Sequence, residues 1–145
     1  MKHATAAAAI ILIASLSGQA TADQRLAIHA GGYSYHVLTG DETDYNSWHR
    51  LAAVEYGGLM AGYFRNSYYR DSFIVAYGKS WHYGDWMASV HAGAVYGYRS
   101  CYGDDGDKSV VCPAVFPSLY YTRYKVQPGV VVFGEAVAAT VRFEF

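Results

Sequence analysis

The chain has little of what marks several large classes of protein. No stretch approaches the roughly 20 continuous apolar residues that a transmembrane helix needs, which excludes a helical membrane protein. The formal net charge is only −1 and no run of like charge occurs, so the sequence offers no basic surface for nucleic acid. The histidines lack metal-ligand spacing, and neither a phosphate-binding glycine loop nor a nucleophile elbow is present. No metal or cofactor is therefore predicted.

Cysteine is also scarce. The two cysteines, Cys101 and Cys112, flank a short stretch rich in aspartate. In an exported chain this arrangement indicates a disulfide that closes one loop, worth roughly 3 kcal/mol in the loop-entropy model. A metal pair or a catalytic thiol is disfavoured, because no third ligand lies at a useful spacing.

The amino terminus gives the reason to regard the chain as exported. A positive start at Met1-Lys-His is followed by an apolar segment, 6–16, that is too short to span a bilayer, and then by Ala20-Thr-Ala22, a small-residue cleavage motif. These features predict a cleaved signal peptide at 1–22. Residues 23–145 remain, which is enough for one domain and too few for two.

Tyrosine and glycine are abundant, with 15 of each, and the apolar residues fall in short alternating runs. Membrane barrels place amphipathic aromatics in girdles at both interfaces, and join their strands alternately by long loops and short turns. Long polar segments and tight glycine turns alternate in this chain too. The pattern predicts no helix and eight strands, at 24–36, 49–57, 58–66, 71–81, 86–99, 113–122, 124–133 and 136–145.

Strict alternation assigns the two faces of these strands. In the fourth strand, one face carries the small and polar residues, namely Ser72, Ile74, Ala76, Gly78 and Ser80, opposite Phe73, Val75 and Tyr77. In the fifth strand, the same rule turns Tyr96 and Tyr98 outward, and the residues that it turns inward are mostly small. An eight-stranded barrel has little lumen, so this set either leaves space for one narrow ligand or is filled by inward tyrosines.

The last strand alternates as well, with Val137, Ala139, Val141, Phe143 and Phe145 opposite Thr140, Arg142 and Glu144. A terminal aromatic such as Phe145 looks like the signal read by the outer-membrane assembly machinery. An edge strand of a soluble sandwich is the alternative for this segment. We predict an all-β, eight-stranded antiparallel transmembrane β-barrel in the outer membrane of a Gram-negative bacterium, expected as a monomer.

One segment carries the chemistry. The span 64–78 resembles the PagP family of outer-membrane lipid A palmitoyltransferases, and the residues that fit are Phe64, Arg65, Ser67, Tyr68, Arg70, Ile74, Tyr77 and Gly78. Other stretches similar to the family are Tyr35-His36, Tyr45-Asn46, the proline-bracketed strand 113–117 and the last strand. The resemblance spans nearly all of 33–145, although the family's amino-terminal amphipathic helix has no counterpart here.

The resemblance implies transfer of a palmitoyl chain from a glycerophospholipid to a hydroxyl of lipid A in the outer leaflet. Such transfer needs a base for the accepting hydroxyl and a donor for the tetrahedral oxyanion. By resemblance His36 and Ser67 are the essential pair. His36 shares its parity with outward residues, so we expect a bulge at Gly31-Gly32 to reset the register.

Asn66 stands where the family has an acidic residue, so a His-Asp couple of the familiar kind is absent. Asp71, Asp44 or Asp41 could supply a carboxylate from nearby loops, or Asn66 could be an oxyanion donor. The simpler interpretation is that Asn66-Ser67 is a polar turn.

The resemblance also assigns substrate-binding positions. Gly78 matches the glycine that forms the floor of the family's acyl pocket, although a glycine needed for strand coiling is the simpler explanation. Pro117 and Pro128 match sites of lateral entry, since proline lacks the ladder N–H and weakens pairing.

Two other functions compete with acyl transfer. A non-catalytic outer-membrane barrel could present its disulfide-closed loop for adhesion or resistance, whereas a pore is disfavoured by the narrow lumen. A lipid A deacylase also uses His and Ser, but usually within one strand, and His36 and Ser67 are far apart in sequence.

Overall fold

The computed structural model describes residues 24–37, 44–101 and 106–145, which form one closed antiparallel barrel. Each strand pairs with the next along the chain, and the last pairs with the first. The strands are β1 Ala27–His36, β2 Trp48–Tyr56, β3 Leu59–Arg65, β4 Asp71–Tyr83, β5 Trp86–Tyr98, β6 Val110–Tyr121, β7 Val126–Phe133 and β8 Ala136–Glu144. The predicted all-β, eight-stranded antiparallel barrel is confirmed. The predicted signal peptide 1–22 and Asp41 lie outside the described residues.

No helix in the described part of the chain is long and apolar enough to cross a bilayer. The connections differ between the two ends of the barrel, as the sequence indicated. The described connecting residues 37, 44–47, 66–70, 99–101 and 106–109 lie at one end, called here the loop end, together with the two-residue turn Gly134-Glu135. Tight turns, the start of β1 and the end of β8 lie at the opposite end, called here the termini end.

The two faces of the strands separate as alternation predicts. On β4 the lumenal side chains Ser72, Ile74 and Ser80 are buried, whereas Phe73 and Val75 are more than half exposed on the outside. The outer surface as a whole is apolar and the lumen carries most of the buried polar groups. The interior of this barrel is therefore more polar than its exterior.

A bulge in β1 changes which residues reach the lumen. Gly31 and Gly32 adopt φ of +90° and +95°, a region that favours glycine, and the register shifts between Gly31 and Tyr33. Ser34 and His36 consequently take the inward parity. The bulge expected from the sequence is confirmed.

A second bulge, in β5, was not anticipated. Gly97 has a φ of +123°, and the register with β6 shifts between Tyr96 and Tyr98. The outward orientation predicted for Tyr98 is wrong, because the bulge reverses the alternation and turns its ring into the lumen, where it packs against the apolar core.

Buried charge fills the lumen near the termini end. The Glu55 carboxylate accepts a hydrogen bond from His29 at 2.7 Å, lies 3.3 Å from the His91 Nε2 atom, and has the Arg142 guanidinium 3.8 Å away. Gln127 also accepts from Arg142, at 2.6 Å. These residues, called here the Glu55 cluster, fill much of the lumen in this half of the barrel with buried side chains.

Removing the central carboxylate should destabilise the barrel. We expect Glu55→Ala to lower the free energy of unfolding by about 3–5 kcal/mol, because it leaves buried cationic groups uncompensated. Glu55→Gln should cost less, since its amide oxygen still accepts from His29. The urea midpoint in phospholipid vesicles, followed by tryptophan fluorescence, measures this change. Glu135→Ala, on an exposed turn, is the control, and equal midpoints for the two alanine variants would contradict the prediction.

Candidate functional site

A cavity of about 120 Å³ lies between the Glu55 cluster and the loop end. Most of its wall is apolar, formed by Leu51, Met60, Phe64, Ile74, Phe116, Val131 and Phe133. A cavity of about 150 Å³ with such a lining takes up a benzene-sized apolar group. The cavity therefore suits a short stretch of hydrocarbon.

One hydroxyl and one imidazole on this wall form a hydrogen-bonded pair. Ser34 Oγ lies 2.6 Å from His49 Nε2, and His49 Nδ1 lies 2.7 Å from the Arg65 carbonyl oxygen. A carbonyl can only accept, so Nδ1 carries the proton and the neutral ring presents a lone pair at Nε2. The Ser34 hydroxyl consequently donates to His49.

Local structure explains why these groups meet. The Gly31-Gly32 bulge turns Ser34 inward, and the shifted register pairs the neighbouring Tyr33 with Trp48, next to His49. The Asn46 side-chain amide donates to the carbonyls of Arg65 and Asn66, at 3.3 and 3.1 Å, and so fixes the end of β3 that orients the imidazole.

Ser67, which the resemblance pairs with His36, lies in the loop between β3 and β4 and on the same cavity as Ser34 and His49. Its side chain is largely buried and lines the wall, while its backbone carbonyl accepts from the Asn46 N–H at 2.8 Å. Its hydroxyl has no hydrogen-bond partner among the described residues. It is therefore available to a bound group.

His36 occupies a different place on the rim. Its ring stacks on Tyr45 at a centroid distance of 4.1 Å, and Tyr45 in turn meets Tyr68 edge-on at 5.7 Å. Its Nε2 atom is buried and has no hydrogen-bond partner within the described segments. His36 does not line the cavity that Ser67 lines, so the two predicted residues share the loop end but not the cavity.

Tyr68 belongs to this aromatic group and follows Ser67 in the loop. Burial, with further contributions from Tyr45 and Glu135, raises the pKa of the Tyr68 hydroxyl. The hydroxyl therefore keeps its proton at neutral pH and can donate a hydrogen bond at the rim.

The structure uses Asn66 to hold the loop together. Its amide oxygen accepts from the N–H groups of Tyr68 and Arg70, at 2.9 and 3.1 Å, and its amide nitrogen donates to Ser72 Oγ and to the Gly97 carbonyl, at 3.0 and 3.2 Å. The side chain is fully buried. Both N–H groups are committed, so the predicted oxyanion role has no free donor here, and the geometry favours the polar-turn interpretation.

Two of the aspartates considered as replacements for the family's acidic residue accept hydrogen bonds from tyrosines instead of histidines. Asp71 accepts from Tyr63 at 2.7 Å, and Asp44 accepts from Tyr69 at 3.2 Å, both in exposed positions away from the cavity. The group that orients His49 is instead the Arg65 carbonyl, while the cavity histidines His29 and His91 are oriented by Glu55.

Gly78 is not the bare floor of the cavity that the sequence predicted. A Cβ at this position would overlap the His91 imidazole, which lies over Gly78 and stacks on Phe116 with ring centroids 5.2 Å apart. His91 lines the cavity and Gly78 does not. The floor is therefore an imidazole, and the glycine provides the space that this ring needs.

The hydrogen-bonded ladder between β6 and β7 is short. These strands pair only over Ser118↔Val131, Leu119↔Val130 and Tyr120↔Gly129, while β6 pairs with β5 along its whole length. Toward the loop end the backbones are unpaired, and the side chains of the cavity residues Phe116 and Phe133 meet across the seam with ring centroids 5.6 Å apart. We call this unpaired part of the seam the β6–β7 opening.

The two prolines predicted at sites of lateral entry, Pro117 and Pro128, lie differently with respect to this opening. Pro117 immediately precedes Ser118, the β7-paired residue of β6 that is nearest the loop end, so the opening begins beside Pro117. Pro128 lies at the other end of the paired segment, where its partner strand is β8. Only Pro117 therefore borders the opening.

Cys101 and Cys112 form the predicted disulfide, with Cα atoms 5.3 Å apart. The bond joins the loop after β5 to the lumenal face of β6, within the part of β6 that is not paired with β7. It therefore anchors the part of β6 that has no hydrogen-bonded partner in β7.

Within the described residues, no three His, Cys, Asp or Glu side chains are grouped so as to hold a metal ion. Comparisons with family models, curated proteins and solved structures gave no match. The function must therefore be argued from the cavity and its residues.

Sequence reasoning missed the Ser34–His49 pair. His49 has no metal-ligand spacing, but it shares parity with the lumenal residues Leu51 and Glu55, which places it on the lumenal face of β2. Applying the expected bulge to Ser34 as well as to His36 would have placed a serine opposite this histidine.

The structural role of Asn66 predicts a cost for the family's acidic residue. We expect Asn66→Asp to lower the free energy of unfolding by about 2–3 kcal/mol, because a carboxylate cannot donate to the Gly97 carbonyl. Asp71→Asn makes the reverse change at an exposed site and should stay within about 0.5 kcal/mol of the unmodified protein. Urea unfolding in vesicles compares the two, and a neutral Asn66→Asp would refute the structural role.

Proposed function

We propose that this protein is an outer-membrane acyltransferase that moves a palmitoyl chain from a glycerophospholipid to a hydroxyl of lipid A. The observation that carries the proposal is the position of the unpaired β6–β7 seam directly beside an apolar cavity that bears Ser34, His49 and Ser67, where only the contact between Phe116 and Phe133 closes the wall. The resemblance of residues 64–78 to the PagP family supports the same assignment.

The outer surface supports a place in a membrane. Its exposed apolar side chains together form a larger apolar surface than the patches that soluble monomers expose. Aliphatic residues such as Val54, Val75 and Val115 are half exposed at mid-height. Aromatic residues flank them, with Tyr35, Trp48 and Phe73 toward the loop end and Tyr56 and Trp86 toward the termini end. This is the arrangement of an aliphatic band between aromatic girdles.

The position of the opening suits a lipid substrate. An acyl ester in the outer leaflet approaches the barrel from the side, so an enzyme that acts on it needs an entrance in its wall as well as at its mouth. Pairing between β6 and β7 stops beside Pro117, which has no N–H to extend the ladder. Phe116 and Phe133 then line the path inward.

The polar groups at the cavity supply what acyl transfer needs. A histidine is required as the base, and a hydrogen-bond donor is required for the oxyanion. His49 is on the wall with a lone pair directed at Ser34, and Ser67 has a hydroxyl free for an incoming carbonyl. His36, the base predicted from the resemblance, lies on the rim with an Nε2 atom that has no hydrogen-bond partner in the described structure.

An ester hydrolase is the second candidate. The hydrogen-bonded serine and histidine would cleave an ester equally well if water, in place of a lipid hydroxyl, accepted the acyl group. A lipid A deacylase is therefore the alternative that the Ser34–His49 geometry favours.

Mass spectrometry of lipid A distinguishes these functions. We expect cells that express the gene to carry lipid A with one additional palmitoyl group, and Ser67→Ala to lower this product at least about 100-fold, because an oxyanion donor contributes that much. Ser89→Ala, which loses only a serine–serine hydrogen bond deep in the lumen, is the control. Loss of an acyl group would indicate the deacylase, and unchanged lipid A would favour a non-catalytic barrel.

Closing the side entrance should stop the reaction. Continuing the β6–β7 register would bring residue 117 opposite residue 132, so a disulfide between Pro117→Cys and Val132→Cys would staple the opening shut. We expect the stapled protein to lose palmitoylation and to regain it with a reductant. A staple between Val75→Cys and Ala94→Cys, in the fully paired β4–β5 seam, is the matched control. Equal activity of the two stapled proteins would rule out lateral entry here.

A further inference from the structure

We infer that Ser34 is a covalent nucleophile activated by His49, so that acyl transfer proceeds through an acyl-Ser34 intermediate. The inference rests on the proposed function for the identity of the lipid substrates. The reactivity of the serine follows from the geometry of its own site and can be tested without them.

The hydrogen-bond pattern is that of an activated serine. Nucleophile and base lie 2.6 Å apart, and a third group, the Arg65 carbonyl, fixes the ring through Nδ1 at 2.7 Å. The carbonyl dictates the tautomer in which Nε2 accepts the Ser34 proton. It also stabilises the imidazolium that forms when the proton moves, because Nδ1–H then points at a partial negative charge.

The other serines of the cavity lack such a base. Ser118 bonds to Ser89 at 2.5 Å, and Ser67 has no partner among the described residues. Ser34 is the cavity serine that bonds an imidazole, and it is almost fully buried in a mostly apolar wall. Low polarity around the pair strengthens its electrostatic interactions and restricts competing water.

The size of the cavity favours a covalent intermediate over direct transfer. Its volume of about 120 Å³ is below that of a cavity of roughly 150 Å³ that takes up one benzene-sized group. Occupation by the donor first and the acceptor afterwards suits so small a space better than occupation by both together. An acyl-enzyme permits this order, because the donor leaves before the acceptor enters by the same opening.

The reaction has two balanced halves. Ser34 Oγ attacks the donor ester carbonyl while its proton passes to His49 Nε2; the ester C–O bond then breaks, and the departing lysophospholipid oxygen takes that proton. In the second half His49 removes the proton of the acceptor hydroxyl, the new oxygen attacks the acyl-Ser34 carbonyl, and Ser34 leaves and regains the proton. The Ser67 hydroxyl donates to the oxyanion in both halves.

A long-chain alkyl fluorophosphonate tests the nucleophile directly, because it phosphonylates activated serines whatever their natural substrate. The full-length protein, folded in detergent micelles, should be labelled once, and peptide mass spectrometry should map the label to Ser34. Ser34→Ala should abolish labelling, and His49→Gln, which retains hydrogen-bonding capacity, should slow it at least about 100-fold. Ser89→Ala, at a buried serine that is not in the cavity lining, should label normally, and heat-dependent gel mobility confirms that each variant is folded.

A second measurement follows the intermediate itself. Incubation with dipalmitoyl phosphatidylcholine and no acceptor should add one palmitoyl group to the intact protein, and lipid A should then discharge it. Labelling at Ser67, or no labelling at Ser34 in a protein that palmitoylates lipid A, would overturn the inference and leave the proposed function standing. Labelling at Ser34 with lipid A unchanged would support the nucleophile and overturn the palmitoyltransferase assignment.

Discussion

The buried charge of Glu55 is the constraint on which the rest of the barrel depends. A carboxylate in a lumen this narrow must be surrounded by donors, and His29, His91 and Arg142 occupy the termini half in doing so. The space that remains is displaced toward the loop end, next to the β6–β7 opening. The donors that the Glu55 carboxylate requires thus decide which half of the lumen is filled by side chains and which half keeps space for a ligand.

Two glycine bulges then determine which side chains face that space. Gly31-Gly32 brings Ser34 inward, and Gly97 does the same for Tyr98. The second bulge is tied to the loop that carries Ser67, because Asn66 donates to the Gly97 carbonyl. A single buried amide therefore connects the conformation of β5 with the position of the candidate oxyanion donor.

The sequence predicted the barrel well because alternation and turn signals are local properties. The strand count, the faces of β4 and β8 and the β1 bulge all followed from them, and the disulfide followed from two cysteines that flank one loop. The features that the sequence does not predict depend on contacts across the lumen. The resemblance assigns Gly78 to the floor, but the ring of His91 arrives from another strand, and the partners of His49, namely Ser34 and the Arg65 carbonyl, come from separate strands.

The incomplete pairing between β6 and β7 would also affect how the barrel sits in a bilayer. Backbone groups without a ladder partner are costly in hydrocarbon, where no water can replace the missing hydrogen bond. The unpaired stretch of β6, from Val110 to Pro117, reaches from the loop end down to the level of Val75, which is connected to Pro113 through Ala94 of β5. In a bilayer, interfacial water would therefore have to reach these backbone groups along the wall of the barrel, and the membrane would be thinnest beside the cavity.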